Sequence, residues 1–190
     1  MKLFKCQHCG QLLHFENNKC EKCSRRLGYI PEAETLSALE PEGDNWRALA
    51  AKGKLYRFCA NAQFDVCNWL VEATAQDIYC VACQHNHMVP DTSIESNVAA
   101  WRKIEAAKHR VLYTLLKLKL PLAGGKNGAG ERLAFDFLAT STVPGAPAVM
   151  TGHDHGLITV ALEEADDVER ENRRTTMHEP YRTLLGHFRH

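Results

Sequence analysis

Residues 6–23 read CQHCGQLLHFENNKCEKC, and their spacing decides how the front of the chain folds. Cys6-Gln-His-Cys9 is followed, ten residues later, by Cys20-Glu-Lys-Cys23. Two C-x2-C turns this close predict a compact tetrathiolate site, because each turn aims two sulfurs at one Zn2+ at about 2.3 Å. Gly10 follows the second sulfur, where such a turn needs a relaxed backbone. The ten-residue spacer suits a short hairpin, going out over residues 11–15, turning at Asn17-Asn18 and returning at Lys19. The rival reading, a redox C-x-x-C pair, needs no second pair. His8 sits inside the first turn; four cysteines already fill a tetrahedron, so it is expected beside the site or exposed.

A second quartet, Cys59, Cys67, Cys80 and Cys83, is looser. Cys80-Val-Ala-Cys83 has the same turn spacing, whereas Cys59 and Cys67 stand further apart. The expectation is a second structural Zn2+ held by all four. The alternative is one C-x-x-C with two buried thiols packing as small hydrophobes. His85 and His87 follow directly and offer a ranked-lower substitute for a cysteine. Paired spacing, with no signal peptide visible at MKLFKCQHCG, favours metal over disulfides and a cytoplasmic location.

Formal net charge is zero, which gives no global pull toward nucleic acid or membrane. No apolar run approaches the roughly 20 residues of a membrane span. Two thiolate sites would lower the charge to about −4, and Lys2, Lys5, Lys19, Lys22, Arg25 and Arg26 surround the first one. The bland reading of that patch is charge compensation. The sharper one is nucleic-acid contact, with Phe4, Phe15 and Tyr29 as the only interleaved aromatics, and it is not favoured.

Between the quartets, residues 24–58 carry turn signals at Gly28-Tyr-Ile-Pro31 and Glu40-Pro-Glu-Gly-Asp44, and short irregular structure is expected. Residues 96–120 form the clearest helix. Val98, Trp101, Ile104, the Lys108 stem, Val111, Leu112, Leu115 and Leu118 run along one side, with Ser96 as cap and Pro121 as stop. Its charges total +5, most simply a solvated face. Leu122-Ala-Gly-Gly-Lys-Asn-Gly-Ala-Gly130 is a loop without the order of a phosphate-binding loop. Residues 133–138 and 156–162 read as strands, with Gly152-His-Asp-His-Gly156 as a turn before the second. Residues 163–174 read as a helix with acids first and arginines last, which complements the helix dipole. Tyr181, Leu184, Leu185 and Phe188 fall at i, i+3, i+4 and i+7 of a final helix opened by Pro180 and unfinished at His190.

Of the tail histidines, His153 and His155 flank Asp154, and a polar turn is the simpler reading than a metal-binding H-x-H. His178-Glu179 does not open a zinc-protease motif, because Arg182 stands where the second histidine belongs. His187 and His190, three apart on a helix, lack a carboxylate and a third ligand in the sequence.

The order of cysteine ribbon, CNWL, WRKIEAAKHRVLYTLL, TGHDHGLITVALEEADD and EPYRTLLGHFRH resembles, over essentially the whole chain, a bacterial family of zinc-binding metallopeptidases with an N-terminal zinc ribbon. The resemblance implies an α+β chain. Residues 1–90 would form the zinc-ribbon region with its two four-cysteine sites, and residues 91–190 the front part of a zincin-like domain. In that family the tail continues into an H-E-x-G-H helix, so His190 would be the first histidine of the catalytic metal motif. The chain would stop one residue before the general-base glutamate. No catalytic residue is then expected within it, and the strand over 156–162 would be the sheet edge that pairs with an extended peptide or protein substrate. The alternative is a zinc-ribbon module that binds nucleic acid or a protein partner.

Overall fold

The computed structural model describes residues 2–122, 133–141, 143, 145, 147–178 and 183–189. Residues 123–130 of the glycine-rich loop, Pro180, Tyr181 and His190 lie outside the described residues. The fold is α+β and divides into two compact units, Met1–Cys83 and Gln84–His190.

In the first unit, β1 (Phe4–Lys5) pairs antiparallel with β2 (Leu12–Leu13), Phe4 opposite Leu13. The cysteine turn between them is itself the hairpin loop. The Cys6 amide donates to the Gln11 carbonyl at 2.8 Å, and the Gly10 amide to the Cys6 carbonyl at 2.9 Å, with Gly10 at φ 74. The second turn repeats this, Cys20 to Arg25 at 2.9 Å and Ser24 to Cys20 at 2.8 Å, flanked by a Lys19–Arg26 bridge. The expected hairpin in the spacer is therefore replaced by one hairpin around each turn. A chain reversed by its own sulfur-bearing turn pairs the residues on either side of that turn.

Residues 27–72 correct the expectation of irregular structure. β3 (Leu27–Ile30), β4 (Thr35–Glu42), β5 (Asn45–Ala48), β6 (Leu55–Phe58) and β7 (Leu70–Glu72) form a five-stranded antiparallel meander in chain order. The pattern is hidden because β3 and the middle of β4 are buried on both faces, so apolar residues do not alternate. Ile30, Leu39, Ala48, Tyr56 and Leu70 make one core cluster. Phe4, Phe15, Tyr29 and Trp69 make another, with Tyr29 4.9 Å from Phe15 and 4.7 Å from Trp69 by ring centroid. Pro41 reads as a turn signal, yet it lies past the end of β3 where β4 has one neighbour, so its missing N–H need not cost a ladder bond. The reversal itself is at Gly43, φ 60. A Tyr29–Trp69 bridge brings the start of β7 back against β3. There Gly28 meets Leu70 so closely that an added Cβ would stand 2.5 Å from Leu70 Cδ2.

In the second unit, β8 (Asn86–Met88), β9 (Ala134–Leu138), β10 (Gly152–Asp154) and β11 (Leu157–Ala161) form a sheet in the order β10-β11-β9-β8. β9 is parallel to both its neighbours, and β10 is antiparallel to β11. Helix α1 (Glu95–Lys117) connects β8 to β9. Ser96 lies within its first turn rather than capping it; the N-cap position is Ile94 and no side chain caps it. The helix closes through Lys119 at φ 55, with the Leu120 amide on the Leu115 carbonyl, so Leu118 falls past the apolar row and is exposed. Lys108 is buried whole, charge included.

Gly152-His-Asp-His-Gly156 is not one turn. Its first three residues are β10, and only His155-Gly156 turn, at φ 43 and 84. Positive φ at both central residues is the two-residue hairpin loop whose twist matches its strands. The charged stretch after β11 splits into a 3-10 turn, Leu162–Ala165, and helix α2 (Asp167–Met177), because Asp166 caps α2 by accepting from Val168 and Glu169 at 2.8 and 3.1 Å. Helix α3 (Leu184–Arg189) follows, with Phe188 5.7 Å from the Phe135 ring. No described helix is long and apolar enough to cross a membrane.

Gly28→Ala is expected to lower stability by about 1–3 kcal/mol in denaturant unfolding, as overpacking does. Paired with Leu70→Ala it should cost clearly less than the sum of the two single changes. Additivity within ~0.5 kcal/mol would mean that the two positions do not touch as described.

Candidate metal centres and an adjoining cleft

All eight cysteines are free thiols gathered into two groups of four. Within each group the sulfurs lie within 4.8 Å of one another. Cys6 and Cys23 are 3.7 Å apart, Cys9 and Cys20 3.6 Å, and Cys67 and Cys80 3.7 Å. A tetrahedron with metal–sulfur bonds of about 2.3 Å has edges of about 3.8 Å, whereas a disulfide needs about 2.05 Å. Cys59 and Cys67, far apart in spacing, are thus brought to Cys80 and Cys83 by the β6–β7 connection, which includes a 3-10 turn at Ala60–Phe64.

The two groups differ in exposure. Cys6 and Cys20 are buried while Cys9 and Cys23 are partly open; Cys59, Cys67, Cys80 and Cys83 are all buried. Burial, reinforced by neighbouring sulfurs, pushes the Cys67 and Cys80 thiols well above their ordinary value. The Arg25 amide, opposing the cost of burial with help from the other sulfurs, brings Cys23 down to about 7. Backbone amides aim at sulfur in the buried group too, Trp69 to Cys67 and Cys80 to Cys59, both at 3.4 Å. Four thiolates this close require a cation, so metal uptake must expel protons. The donor set and spacing fit structural metal binding of the zinc-ribbon kind. His8 is exposed. His85 and His87 have other partners, the Leu133 carbonyl at 2.9 Å and Asp136 at 2.8 Å.

In the second unit the expected substrate edge is corrected. β11 has β10 on one side and β9 on the other, so among the described residues the end strand on that side is β10. A cleft of about 380 Å3 lies beside it. Gly152 and His153 of β10 line it, with Ile158, Glu164, His187 and one face of α2. His187 supplies what its spacing alone did not show: its Nε2 is 3.1 Å from the buried Glu164 carboxylate. Burial works to raise the Glu164 carboxyl, but His187 and Arg173 outweigh it and hold it below the usual range. His155 stands in the hairpin turn near Asp154, and His178 ends α2. Glu164 and Thr151 are not marked out by the sequence, and it presents the arginines of α2 only as complements to the helix dipole. The available signal was Arg170, Arg173, Arg174 and Met177 at i, i+3, i+4 and i+7.

Comparison with known proteins places these units in context. Residues 3–94 match a zinc-ribbon domain family, and residues 97–190 match a family described as "Putative zinc-binding metallo-peptidase". An uncharacterized protein of Mycobacterium bovis and two uncharacterized proteins of Mycobacterium tuberculosis are each 37% identical over 190 residues. The alignments cover 100% of this chain and 51% of each relative, so the chain spans about half the length of the curated relatives it matches. No solved structure matches it.

Two metal ions per chain are expected, leaving in two phases under a chelator. The part-exposed group at Cys6, Cys9, Cys20 and Cys23 empties first, and Cys9→Ser should remove the fast phase while Cys67→Ser removes the slow one. His8→Ala should leave both phases in place. Release of both ions in a single step, or loss of an ion with His8→Ala, would contradict this arrangement.

Proposed function

We propose that this chain is a zinc protein of the cytoplasm, with two structural Zn2+ ions in its four-cysteine groups and, in its second unit, part of a zinc-dependent peptidase domain. The observation that carries the reading is a cleft flanked by the end strand of the described sheet, inside the segment that matches the metallopeptidase family. An open edge can accept an extended peptide as an added strand. Here β10 takes that role in place of the strand over 156–162. His190, which the resemblance makes a ligand of a catalytic metal, follows the helix α3 whose His187 and Phe188 line the same cleft. Such an ion would supply an activated water and polarise the scissile carbonyl. The chain's own residues would hold the peptide and fix α3 through His187–Glu164 and Phe188–Phe135. H-E-x-x-H occurs nowhere in the 190 residues, so neither the base nor a second histidine of that motif is supplied.

The alternative, a ribbon that binds nucleic acid, finds less support. Phe4, Phe15 and Tyr29 are buried at 4%, 3% and 1% exposure and present no ring for a base to stack on.

The 190-residue chain is expected to bind zinc without hydrolysing peptides. A protein that continues it through a complete H-E-x-x-H should hydrolyse them and lose activity with chelator. Metal-dependent turnover by the 190-residue chain, or none by the longer protein reloaded with zinc, overturns the reading.

A further inference from the structure

The two four-cysteine groups share a donor set but not an environment. In the second group Cys59, Cys67, Cys80 and Cys83 are 1%, 7%, 2% and 3% exposed. In the first, Cys6 and Cys20 are closed off at 2% and 0%, while Cys9 and Cys23 are partly open. The open cysteine is the second of each turn. Gly10 and Ser24 follow these two with left-handed backbone, φ 74 and 60, and both are exposed. The chain bends outward there and leaves the preceding sulfur within reach of solvent.

Each open sulfur has a buried one beside it on the other turn. Cys9 lies 3.6 Å from Cys20, and Cys23 lies 3.7 Å from Cys6. A cysteine that binds metal does so as the thiolate, which is also the form that attacks an oxidant. An oxidant arriving at the open sulfur thus meets a nucleophile, with a second thiolate one contact further in. Cys67 and Cys80 are as close, at 3.7 Å, but their group has no open sulfur at which the reaction could start.

The turns of the first group are also held by contacts that need no metal. Gln7, between Cys6 and Cys9, donates to the Leu36 carbonyl at 3.0 Å and accepts from the Ala38 amide at 2.7 Å, which ties the first turn to β4. Asn68 donates to the Phe15 and Asn17 carbonyls of the spacer at 2.8 and 3.3 Å. Leu27, at the start of β3, donates to the Asn18 carbonyl at 2.9 Å and holds the other side of the second turn. Loss of the ion from this group loosens two turns on a scaffold that keeps them together.

We propose that the first group is a reversible, peroxide-sensitive metal site that reacts through Cys9 and Cys23, while the second group is structural only. The proposal rests on the reading of two bound Zn2+. The Cys9 or Cys23 thiolate attacks one oxygen of hydrogen peroxide, the O–O bond breaks, and a sulfenic acid forms as hydroxide leaves. The neighbouring thiolate, Cys20 or Cys6, attacks that sulfur, makes the S–S bond and expels a second hydroxide. Two protons convert both hydroxides to water, and the two sulfurs together supply the two electrons that the peroxide takes up. The group, left with two thiolates, no longer holds the ion. A thiol reductant returns the missing pair by exchange, and the anchored turns bind the ion again.

The test uses the 190-residue chain with its zinc content measured first, a zinc-sensitive dye too weak to strip either group, and hydrogen peroxide in small molar excess. One Zn2+ per chain is expected to leave, with the disulfide mapped by mass spectrometry to Cys9–Cys20 or Cys6–Cys23. Release of the other ion should be at least ~10-fold slower, because its sulfurs are buried. The circular dichroism spectrum should keep its β-sheet signal, and reductant with added zinc should restore two ions per chain. Four outcomes overturn the switch and leave the two-zinc reading standing: both ions leaving together, neither leaving, release with sulfinic or sulfonic acid and no disulfide, or loss of structure that reductant and zinc do not reverse. A chain that binds no zinc before peroxide is added overturns both.

Discussion

Four sulfur atoms held within 4.8 Å of one another, in surroundings that exclude water, constrain the whole first unit. Without a cation, burial keeps Cys67 and Cys80 protonated, and the group offers little cohesion. With one, the loops that carry the sulfurs are fixed together, and those loops hold nearly everything else. Asn68, next to Cys67, donates to the Phe15 carbonyl at 2.8 Å and accepts from the Tyr29 amide at 2.8 Å. Trp69 packs on Tyr29 and Phe15. Asn18, in the spacer of the first quartet, donates to Asp65 at 2.7 Å. The buried group thus grips the spacer of the other one. The five-stranded sheet closes β3 against β7 at the same place. Metal binding at the buried group is thus folding free energy for more than its own loops.

The second unit has a constraint of another kind. Lys108 and Glu105 are both fully buried on α1, 2.6 Å apart. Asn86 of β8 accepts from Lys108 and approaches Glu105 at 3.3 Å, and Trp101 donates to Glu105 at 3.2 Å. The Lys108 ammonium also stands 5.5 and 5.6 Å from the Phe135 and Phe137 rings of β9. Such a pair adds little net stability over an apolar one, but losing one partner strands a charge at a cost of about 3–5 kcal/mol. Its value is in register. Only one rotation of α1 over β8 and β9 satisfies every group. That fixed platform carries β11 and β10, and so the cleft.

What the sequence discloses follows from which faces are wet. Residues 134–138 and 157–161 are readable as strands because turn residues punctuate them, and α1 as a helix because one row of apolar residues runs its length up to Pro121. The five-stranded sheet was not readable, since Leu27 to Ile30 are all buried and leave no period of two. Ser24, which copies Gly10 in the second cysteine turn, offers no glycine to mark its left-handed backbone. Lys108 reads as a long stem along the apolar side of α1, and although Glu105 stands three residues before it, nothing local says that Asn86 of β8 will also receive its charge. The edge of the sheet was misplaced for a topological reason. β10 is three exposed residues without an apolar pattern, so the strand behind it looked outermost.

The arginines of α2 show how one composition can satisfy two demands. Acids at the start and bases at the end of a helix complement its dipole, and that accounts for Asp167 and Glu169 near the start and Arg174 in the last turn. It does not account for Arg170, which is in the first half of the helix, nor for the withdrawal of all three guanidinium groups from water. A dipole effect asks only for position along the axis. The structure also fixes the angle around it, 170, 173, 174 and 177 on the side toward β10. An axial preference read from sequence is thus compatible with any face. The choice of face is set by what the guanidinium groups reach, Arg170 the Glu164 carbonyl and Arg173 the Val149 carbonyl and Glu163.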